Sequence, residues 1–160
     1  MALTDQRAIP VSLIAVAAAL LLLRIASALW PVHEERPGKA GDLVHWLTIE
    51  EGAQLARSTG KPVLFDFTAE SCQPCHMLDE QVFHDAKMAA AINQRFVPVR
   101  VVDRRQEEGA NPRNVAELQR RFAVRAFPTV IFAGGDGSER ARMEGFRGVE
   151  EFERVMEQTR

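Results

Sequence analysis

VLFDFTAESCQPCHML, residues 63–78, is the stretch from which the rest of the chain is interpreted. Its first residues predict a strand buried on both faces, with the carboxylate of Asp66 lodged inside it. A short turn and then a helix follow, since Pro74 is tolerated only early in a helix, where its missing N–H costs little. The first turn of this helix carries Cys72 and Cys75, which are the only two cysteines of the chain.

This placement of two cysteines indicates thiol chemistry. A cysteine at a helix N-terminus faces free N–H groups and the positive end of the helix dipole, which favours the thiolate. The two intervening residues let one helical turn bring the sulfurs together, so Cys72 would attack a disulfide and Cys75 would resolve the mixed disulfide. Burial raises a carboxylate's pKa, so Asp66 is either a proton acceptor for Cys75 or a satisfied core carboxylate without a role.

Two further motifs support a family resemblance. LFDFTAESCQPC resembles the active-site stretch of thioredoxin-fold oxidoreductases, and AFPTV at 126–130 resembles the loop that carries the family's cis-proline. DEQVFHD at 79–85 is similar to the periplasmic C-terminal domain of the disulfide-reductase transporter DsbD and its relatives. The resemblance covers about residues 42–159.

The resemblance implies a thioredoxin-like three-layer α/β/α sandwich around a mixed central sheet, and the activity of a protein-disulfide reductase. Pro128 would be the cis-proline that shapes the substrate groove. The groove would be formed by Ser71, Gln73, Pro74 and Phe127. No nucleotide or flavin motif is present, so we expect no cofactor, and electrons would be exchanged with disulfide-bonded protein substrates and an upstream thiol–disulfide partner.

The chain departs from the family pattern at several positions. Ser71 stands where the family usually has a tryptophan, and Thr68 stands where another aromatic residue is common. Many thioredoxins also pair the buried aspartate with a lysine on the next strand, predicted here at 96–102. We expect Val99 at the lysine's position and Arg100 on the opposite face, which would leave Asp66 without a basic partner.

Composition and hydropathy divide the chain into four segments. With 20 Lys and Arg against 22 Asp and Glu, nothing indicates nucleic-acid binding. A polar tail (1–8) precedes an apolar run (9–30), which is followed by a polar linker (31–41) with two prolines and two glycines and by the catalytic domain (42–160).

The apolar run has two interpretations. As a helix it measures roughly 33 Å, enough to span a bilayer, with Arg24 reaching the far interface. Alternatively, its uninterrupted first part and the small residues at 26–28 form a cleaved signal peptide. Both readings export the domain, which suits disulfide chemistry. We favour a single-pass anchor in a bacterial inner membrane, with the catalytic domain in the periplasm.

Hydrophobic periodicity predicts the remaining elements. Thr48 and Glu51 fit a capping box, and Asn111 followed by Pro112 marks a helix start. The expected strands are 43–47, 63–68, 96–102, 129–133 and 139–144. The expected helices begin near 49, 73, 86, 112 and 149, and residues 103–110 are expected to form a solvated charged loop.

Two other functions share the cysteine motif. Cys72–His76 reads C-x-x-C-H, which is also the attachment signature of c-type haem, with Met88 or Met143 as the distal ligand. Cys72, Cys75 and His76 could instead hold a soft metal ion. The strand with an embedded aspartate before the cysteines favours the dithiol. Pro74 before the second cysteine resembles reducing thioredoxins, so the expected role is that of a reductant or electron relay.

Overall fold

The structure is a computed structural model that describes residues 16–17, 19–21, 24 and 41–159. The chain divides into two units, Met1–Glu34 and Glu35–Arg160. The described residues of the first unit are helical, and no helix within the described residues has the length and apolarity needed to cross a membrane. The predictions for residues 1–8 and 31–40, and for most of 9–30, lie outside the described residues.

The second unit alternates helices and strands. In chain order the elements are α1 (Ile49–Thr59), β1 (Val63–Ala69), α2 (Gln73–Leu78), a π-helical turn (Asp79–Phe83), α3 (Ala86–Arg95), β2 (Val97–Asp103), α4 (Arg105–Glu108), α5 (Arg113–Arg121), β3 (Thr129–Ala133), β4 (Glu139–Glu144) and α6 (Val149–Glu157). The predicted capping box is confirmed: the Thr48 hydroxyl accepts from the Glu51 N–H, and the Glu51 carboxylate accepts from the Thr48 N–H.

The four strands form one mixed sheet in the order β2-β1-β3-β4. β1 pairs parallel to β2 and antiparallel to β3, and β4 is antiparallel to β3. β2 lies at an edge of this sheet, where Pro98 is tolerated although it has no N–H to donate. The predicted strand at 43–47 is wrong, because only Leu47 bridges to Val99 before Thr48 starts a helix.

Helices cover both faces of the sheet, which confirms the three-layer sandwich. One core lies between the sheet and α2, the π-helical turn, α3 and α6, and it contains Leu64, Val82, Phe83, Ile92, Phe132 and Phe152. The other core lies between the sheet and α1 and α5, and it contains Ala56, Phe67, Val99, Leu118, Phe122 and Ile131. Alternate residues of β1 therefore point to opposite cores, as a strand buried on both faces requires.

The strand register brings three loops to one end of the sheet. Phe67 pairs with Thr129 at the start of β3, and Ala69 pairs with Asp103 at the end of β2. The segment that leaves β1, the segment that leaves β2 and the segment that enters β3 therefore meet at one sheet end. The cysteines belong to the first of these segments, and Pro128 belongs to the third.

The expected position of Arg100 is wrong. The register pairs Asp66 with Arg100 and Phe65 with Val99. Because side chains alternate between faces, directly paired residues point to the same face, and a shift of one residue moves every side chain to the other face. The predicted solvated loop at 103–110 is also wrong in part, because Asp103 is the buried last residue of β2 and the segment contains the short helix α4. Asn111 bonds to Asp103 instead of capping α5.

Candidate active site

Cys72 and Cys75 are joined by a disulfide with an S–S distance of 2.09 Å. Cys72 is the N-cap of α2, and its sulfur accepts a hydrogen bond from the Cys75 N–H at 3.3 Å. Cys75 is 3 % exposed, whereas Cys72 is half-buried. The two sulfurs therefore differ in access, and an external thiol or disulfide meets Cys72 first.

The helix that carries the cysteines is anchored by its buried face. Cys75, Leu78 and Val82 point into the core, as their spacing predicts. After Leu78 the backbone widens into the π-helical turn, in which the His84 N–H donates to the Asp79 carbonyl at 2.8 Å. This turn was not predicted, and it belongs to the segment that presents the Asp79 carboxylate to the buried charges described next.

Asp66 and Arg100 form a buried ion pair. The Arg100 Nε donates to Asp66 Oδ2 at 2.9 Å, and the two residues are 6 % and 1 % exposed. The second carboxylate oxygen, Asp66 Oδ1, is buried and has no hydrogen-bond partner among the described residues. Among the described residues, only the Oδ2 atom of the Asp66 carboxylate is therefore hydrogen-bonded.

Arg100 is the centre of a larger cluster. Its Nη2 donates to Asp79 Oδ1, and its Nη1 lies 3.6 Å from Asp42 Oδ2. The guanidinium also stacks on Trp46, with its central carbon 4.2 Å from the ring centroid. Three carboxylates thus surround one guanidinium in a largely buried space. Asp42 and Asp79 were not predicted to belong to the site. The available signal was Arg100, a basic residue on the strand that follows Asp66 in the chain, but interpreting it required the pairing register of β1 with β2.

The cluster shifts the pKa values of its members. Burial raises the pKa of Asp66 to about 6, and the charges of Asp79 and Asp42 act in the same direction, while the charge and hydrogen bond of Arg100 oppose them. Burial acts to lower the pKa of Arg100, but the three carboxylates outweigh it and the pKa is raised. Asp66 thus titrates near neutral pH, where a carboxylate exchanges protons readily.

The residues expected to form the substrate groove lie at one end of the sheet. Ser71, Gln73 and Pro74 adjoin the cysteines in sequence, and the register of β3 brings Phe127 and Pro128 to the same end. The Phe127–Pro128 peptide bond is cis, the conformation that the resemblance implies. Pro128 is buried and Phe127 is half-buried. Ser71, Gln73 and Pro74 are exposed. Their roles in binding substrate stay predictions.

The alternative functions of the cysteine motif find no support in the contacts of His76. Its Nε2 lies 3.0 Å from the carbonyl oxygen of Glu70, so the ring is tied to the turn before the cysteines. Cys72 and Cys75 are bonded to each other. Across residues 41–159 and the few described before them, no group of three or more His, Cys, Asp or Glu side chains is arranged to hold a metal ion.

A second buried carboxylate lies beside the disulfide loop, at the end of β2. Asp103 Oδ2 accepts from Asn111 Nδ2 at 2.7 Å and from Gln119 Nε2 at 2.8 Å, and Arg105 Nε lies 3.0 Å away. Although burial acts to raise its pKa, these hydrogen bonds and the Arg105 charge hold the pKa of Asp103 below its ordinary value. Asp103 was not predicted as a structural residue, because its partners are 2 to 16 residues away in sequence.

The chain resembles proteins of thiol–disulfide exchange. The thioredoxin-like domain model matches residues 49–160. The thiol:disulfide interchange protein DsbD of Ralstonia nicotianae is 30% identical over 105 residues, which are 65% of this chain and 16% of that protein. The chain thus spans about a sixth of the length of this curated relative.

Solved structures show the same fold. DsbH oxidoreductase superposes with a TM-score of 0.62 at 19% identity, covering 85% of this chain and 97% of that one. The oxidised C-terminal domain of DsbD from Neisseria meningitidis superposes with a TM-score of 0.55 at 23% identity, covering 69% and 91%. With the family model matching more than half of its length, the chain belongs to the thioredoxin-like domain family.

Proposed function

We propose that this thioredoxin-like thiol–disulfide oxidoreductase works outside the cytoplasm as a reductant or electron relay for disulfide-bonded protein substrates. The observation that carries the proposal is the unequal pair of cysteines: the more accessible Cys72 caps α2, and the buried Cys75 is bonded to it. Such a pair can form a mixed disulfide at one sulfur and release it with the other.

The reaction balances as a two-electron exchange. In the reduced chain the Cys72 thiolate attacks a substrate disulfide, forms a mixed disulfide and expels one substrate thiolate. Cys75 then attacks the Cys72 sulfur, the mixed disulfide breaks, and the second substrate thiolate leaves. The substrate gains two electrons and the chain is left with the Cys72–Cys75 disulfide seen in the structure. A dithiol partner reduces the chain again by the reverse sequence.

The proposed roles of the other residues follow from their positions. Asp66, with its pKa raised to about 6, accepts the proton of Cys75 as that thiol becomes the attacking thiolate. The cis-proline Pro128 and the half-buried Phe127 form one wall of the groove for the substrate chain. The exposed Ser71, Gln73 and Pro74 form the other wall, and the family's tryptophan is absent from it.

The direction of electron flow is proposed from what stabilises the Cys72 sulfur. An oxidant of this kind is strong because its reduced form is stabilised, and a stabilised thiolate is one source of that stability. Here the sulfur accepts a hydrogen bond from the Cys75 N–H, and the residue before Cys75 is a proline rather than a histidine. The ring of His76 is engaged with the Glu70 carbonyl. The Cys72 thiolate is thus stabilised less than in a strong oxidant, which favours a role as a reductant.

The proposed location rests on the apolar run at 9–30, which would tether the domain to the outer face of a bacterial inner membrane as a single-pass anchor. Carbonate extraction of membranes tests the tether. The chain should stay with the membranes, and a chain lacking residues 9–30 should be released. Release of both forms would overturn the tether and leave the chemistry of the cysteines untouched.

Trapping of mixed disulfides tests the proposed reaction. Cys75→Ser should accumulate adducts with substrate proteins, visible as reductant-sensitive bands on non-reducing gels, because the resolving thiol is missing. Cys72→Ser is the matched control and should give neither adducts nor turnover. Turnover that survives Cys72→Ser, or adducts that form equally in both variants, would contradict the assigned roles.

A further inference from the structure

A groove lies between α5 and the segment that leaves β2. It encloses about 560 Å³. Its lining includes Arg105, Asn111, Gln119, Arg120, Val124 and Arg125. Three of the lining residues are arginines and none is acidic. The chain as a whole carries a formal charge of -2, so this surface differs in sign from the rest of the molecule.

Two connections place the groove beside the redox centre. The hydroxyl of Ser71, the residue before Cys72, donates to Gln106 Oε1 of α4 at 2.8 Å. Arg105 of the same helix lines the groove. At the other side, Arg125 belongs to the segment that leads into the cis bond at Pro128. A polypeptide with its disulfide at Cys72 can therefore extend into the groove without leaving this end of the sheet.

The floor of the groove is held in place by hydrogen bonds between side chains. Asn111 and Gln119, both lining residues, are hydrogen-bonded to each other and to the buried Asp103. The Arg105 guanidinium neutralises Asp103 from the solvent side. Arg105 therefore balances the charge of Asp103, and Asp103 does not cancel the positive charge of Arg120 and Arg125, the two outer arginines of the groove.

The outer arginines are available for a ligand. Arg120 and Arg125 are exposed, and within the described residues 41–159 no carboxylate lies within ion-pair distance of either. Glu117, the acidic residue of α5, is bonded to Arg113 at 2.7 Å, and the charge of Arg120 makes only the smallest contribution to lowering the pKa of Glu117. Guanidinium groups bind carboxylates with two parallel hydrogen bonds, which gives both affinity and orientation.

We propose that this arginine groove binds an acidic segment that flanks the reactive disulfide of a protein substrate. The proposal deepens the proposed function and rests on it, since the groove selects what Cys72 attacks. Charge complementarity of this kind raises the rate of encounter and fixes the register of the bound segment. The preference should weaken as salt screens the charges.

The test compares two disulfide peptides on the whole chain. One has acidic residues on one side of its disulfide, and the other has glutamine and asparagine at the same positions. We expect kcat/KM for the acidic peptide to exceed that for the neutral one by about fivefold or more at low salt. Arg120→Gln/Arg125→Gln should bring the ratio below about twofold while the neutral peptide reacts as before.

Arg57→Gln/Arg154→Gln is the control, because both arginines are exposed and lie away from the disulfide. Arg57 is in the last turn of α1, at the end of the sheet where β1 begins, and Arg154 is on α6 at the opposite face of the sheet. This control removes the same charge and should keep the preference. Equal rates for both peptides in the unaltered chain would overturn the groove, whereas no turnover of either peptide would overturn the proposed function. A preference lost equally in both double variants would indicate net charge alone and would also overturn the groove. Phosphatidylglycerol vesicle binding that depends on Arg120 and Arg125, with no peptide preference, would assign the arginines to a lipid surface and overturn it too.

Discussion

Burial makes the ionised form of Asp66 costly, and it raises the pKa of this carboxyl group to about 6. Asp66 is almost fully buried, and only one of its oxygens is bonded. Arg100 keeps its proton at any accessible pH, so it orients and partly stabilises the carboxylate but cannot relay a proton from it. An arginine at this place therefore gives Asp66 a different environment from the lysine that the family commonly uses.

This cost predicts how stability depends on pH. The pKa of Asp66 is about 6 in the folded chain and 3.8 in the ordinary state, so folding favours its protonated form. The stability it contributes is present below pH 3.8 and is lost as pH rises through about 6. Asp66→Asn removes this dependence. The free energy of unfolding of the variant, relative to that of the unaltered chain, should therefore rise by about 3 kcal/mol between pH 3.5 and pH 8.

Urea unfolding of both proteins at the two pH values measures that gain. Glu153→Gln is the control, because it removes a carboxylate from an exposed position on α6. Its stability difference from the unaltered chain should change little with pH. If Asp66→Asn also shows a constant difference, the carboxylate is not the buried, proton-binding group described here.

The residues of the site differ in how far sequence could locate them. Cys72, Cys75 and Asp66 stand in one short stretch, and Pro128 in another, so local motifs were sufficient to select them. Arg100 was placed on the wrong face because the pairing of β1 with β2 is non-local, and one residue of register decides it. The contacts of Asp79 and Asp42 with Arg100 depend on the same register and could not be inferred without it.

Among the elements, α1 approaches β2 at Gly52 more closely than a side chain at that position would allow. A Cβ added at Gly52 would lie 2.2 Å from Val99 Cγ2, and Val99 is fully buried. Gly52 thus fixes the distance between this helix and the sheet. The edge strand β2 carries Arg100, so the same contact helps to hold the cluster in place.

Gly52→Ala should destabilise the fold even though alanine favours helices. The helix gains about 0.5–1 kcal/mol from the substitution. Overpacking against Val99 costs about 1–3 kcal/mol, so we expect a net loss of about 1 kcal/mol or more in thermal or urea unfolding. The pair Gln54→Gly and Gln54→Ala, at an exposed site of α1, measures the helix effect alone. A Gly52→Ala protein as stable as the starting chain would contradict the close packing.

The elements themselves were mostly predictable, because their signals are local. The cap at Thr48 and the periodicity of α6 each predicted the observed element. The π-helical turn and α4 were not predicted. Each is a short segment stabilised by distant contacts, such as that of Asp79 with Arg100 and that of Ser71 with Gln106, and no periodic pattern reveals it.

At the scale of the molecule, the sheet collects the parts of the site at one end. Parallel pairing of β1 with β2 and antiparallel pairing of β1 with β3 bring the disulfide, the arginine groove and the cis-proline loop to that end. The family resemblance predicted both the three layers and the mixed sheet, and local patterns predicted most of the elements. The groove was not predicted, since its arginines come from α4, from α5 and from the segment after α5.

Cys72 and Cys75 are proposed to form a reversible, reducing dithiol couple. An equilibrium redox titration of the chain in glutathione or dithiothreitol buffers, read by thiol alkylation, measures the potential of this couple. We expect a single two-electron transition at about −270 mV, the range of thioredoxin. A transition at about −120 mV would make the chain an oxidant, and the absence of any two-electron transition would contradict the couple itself.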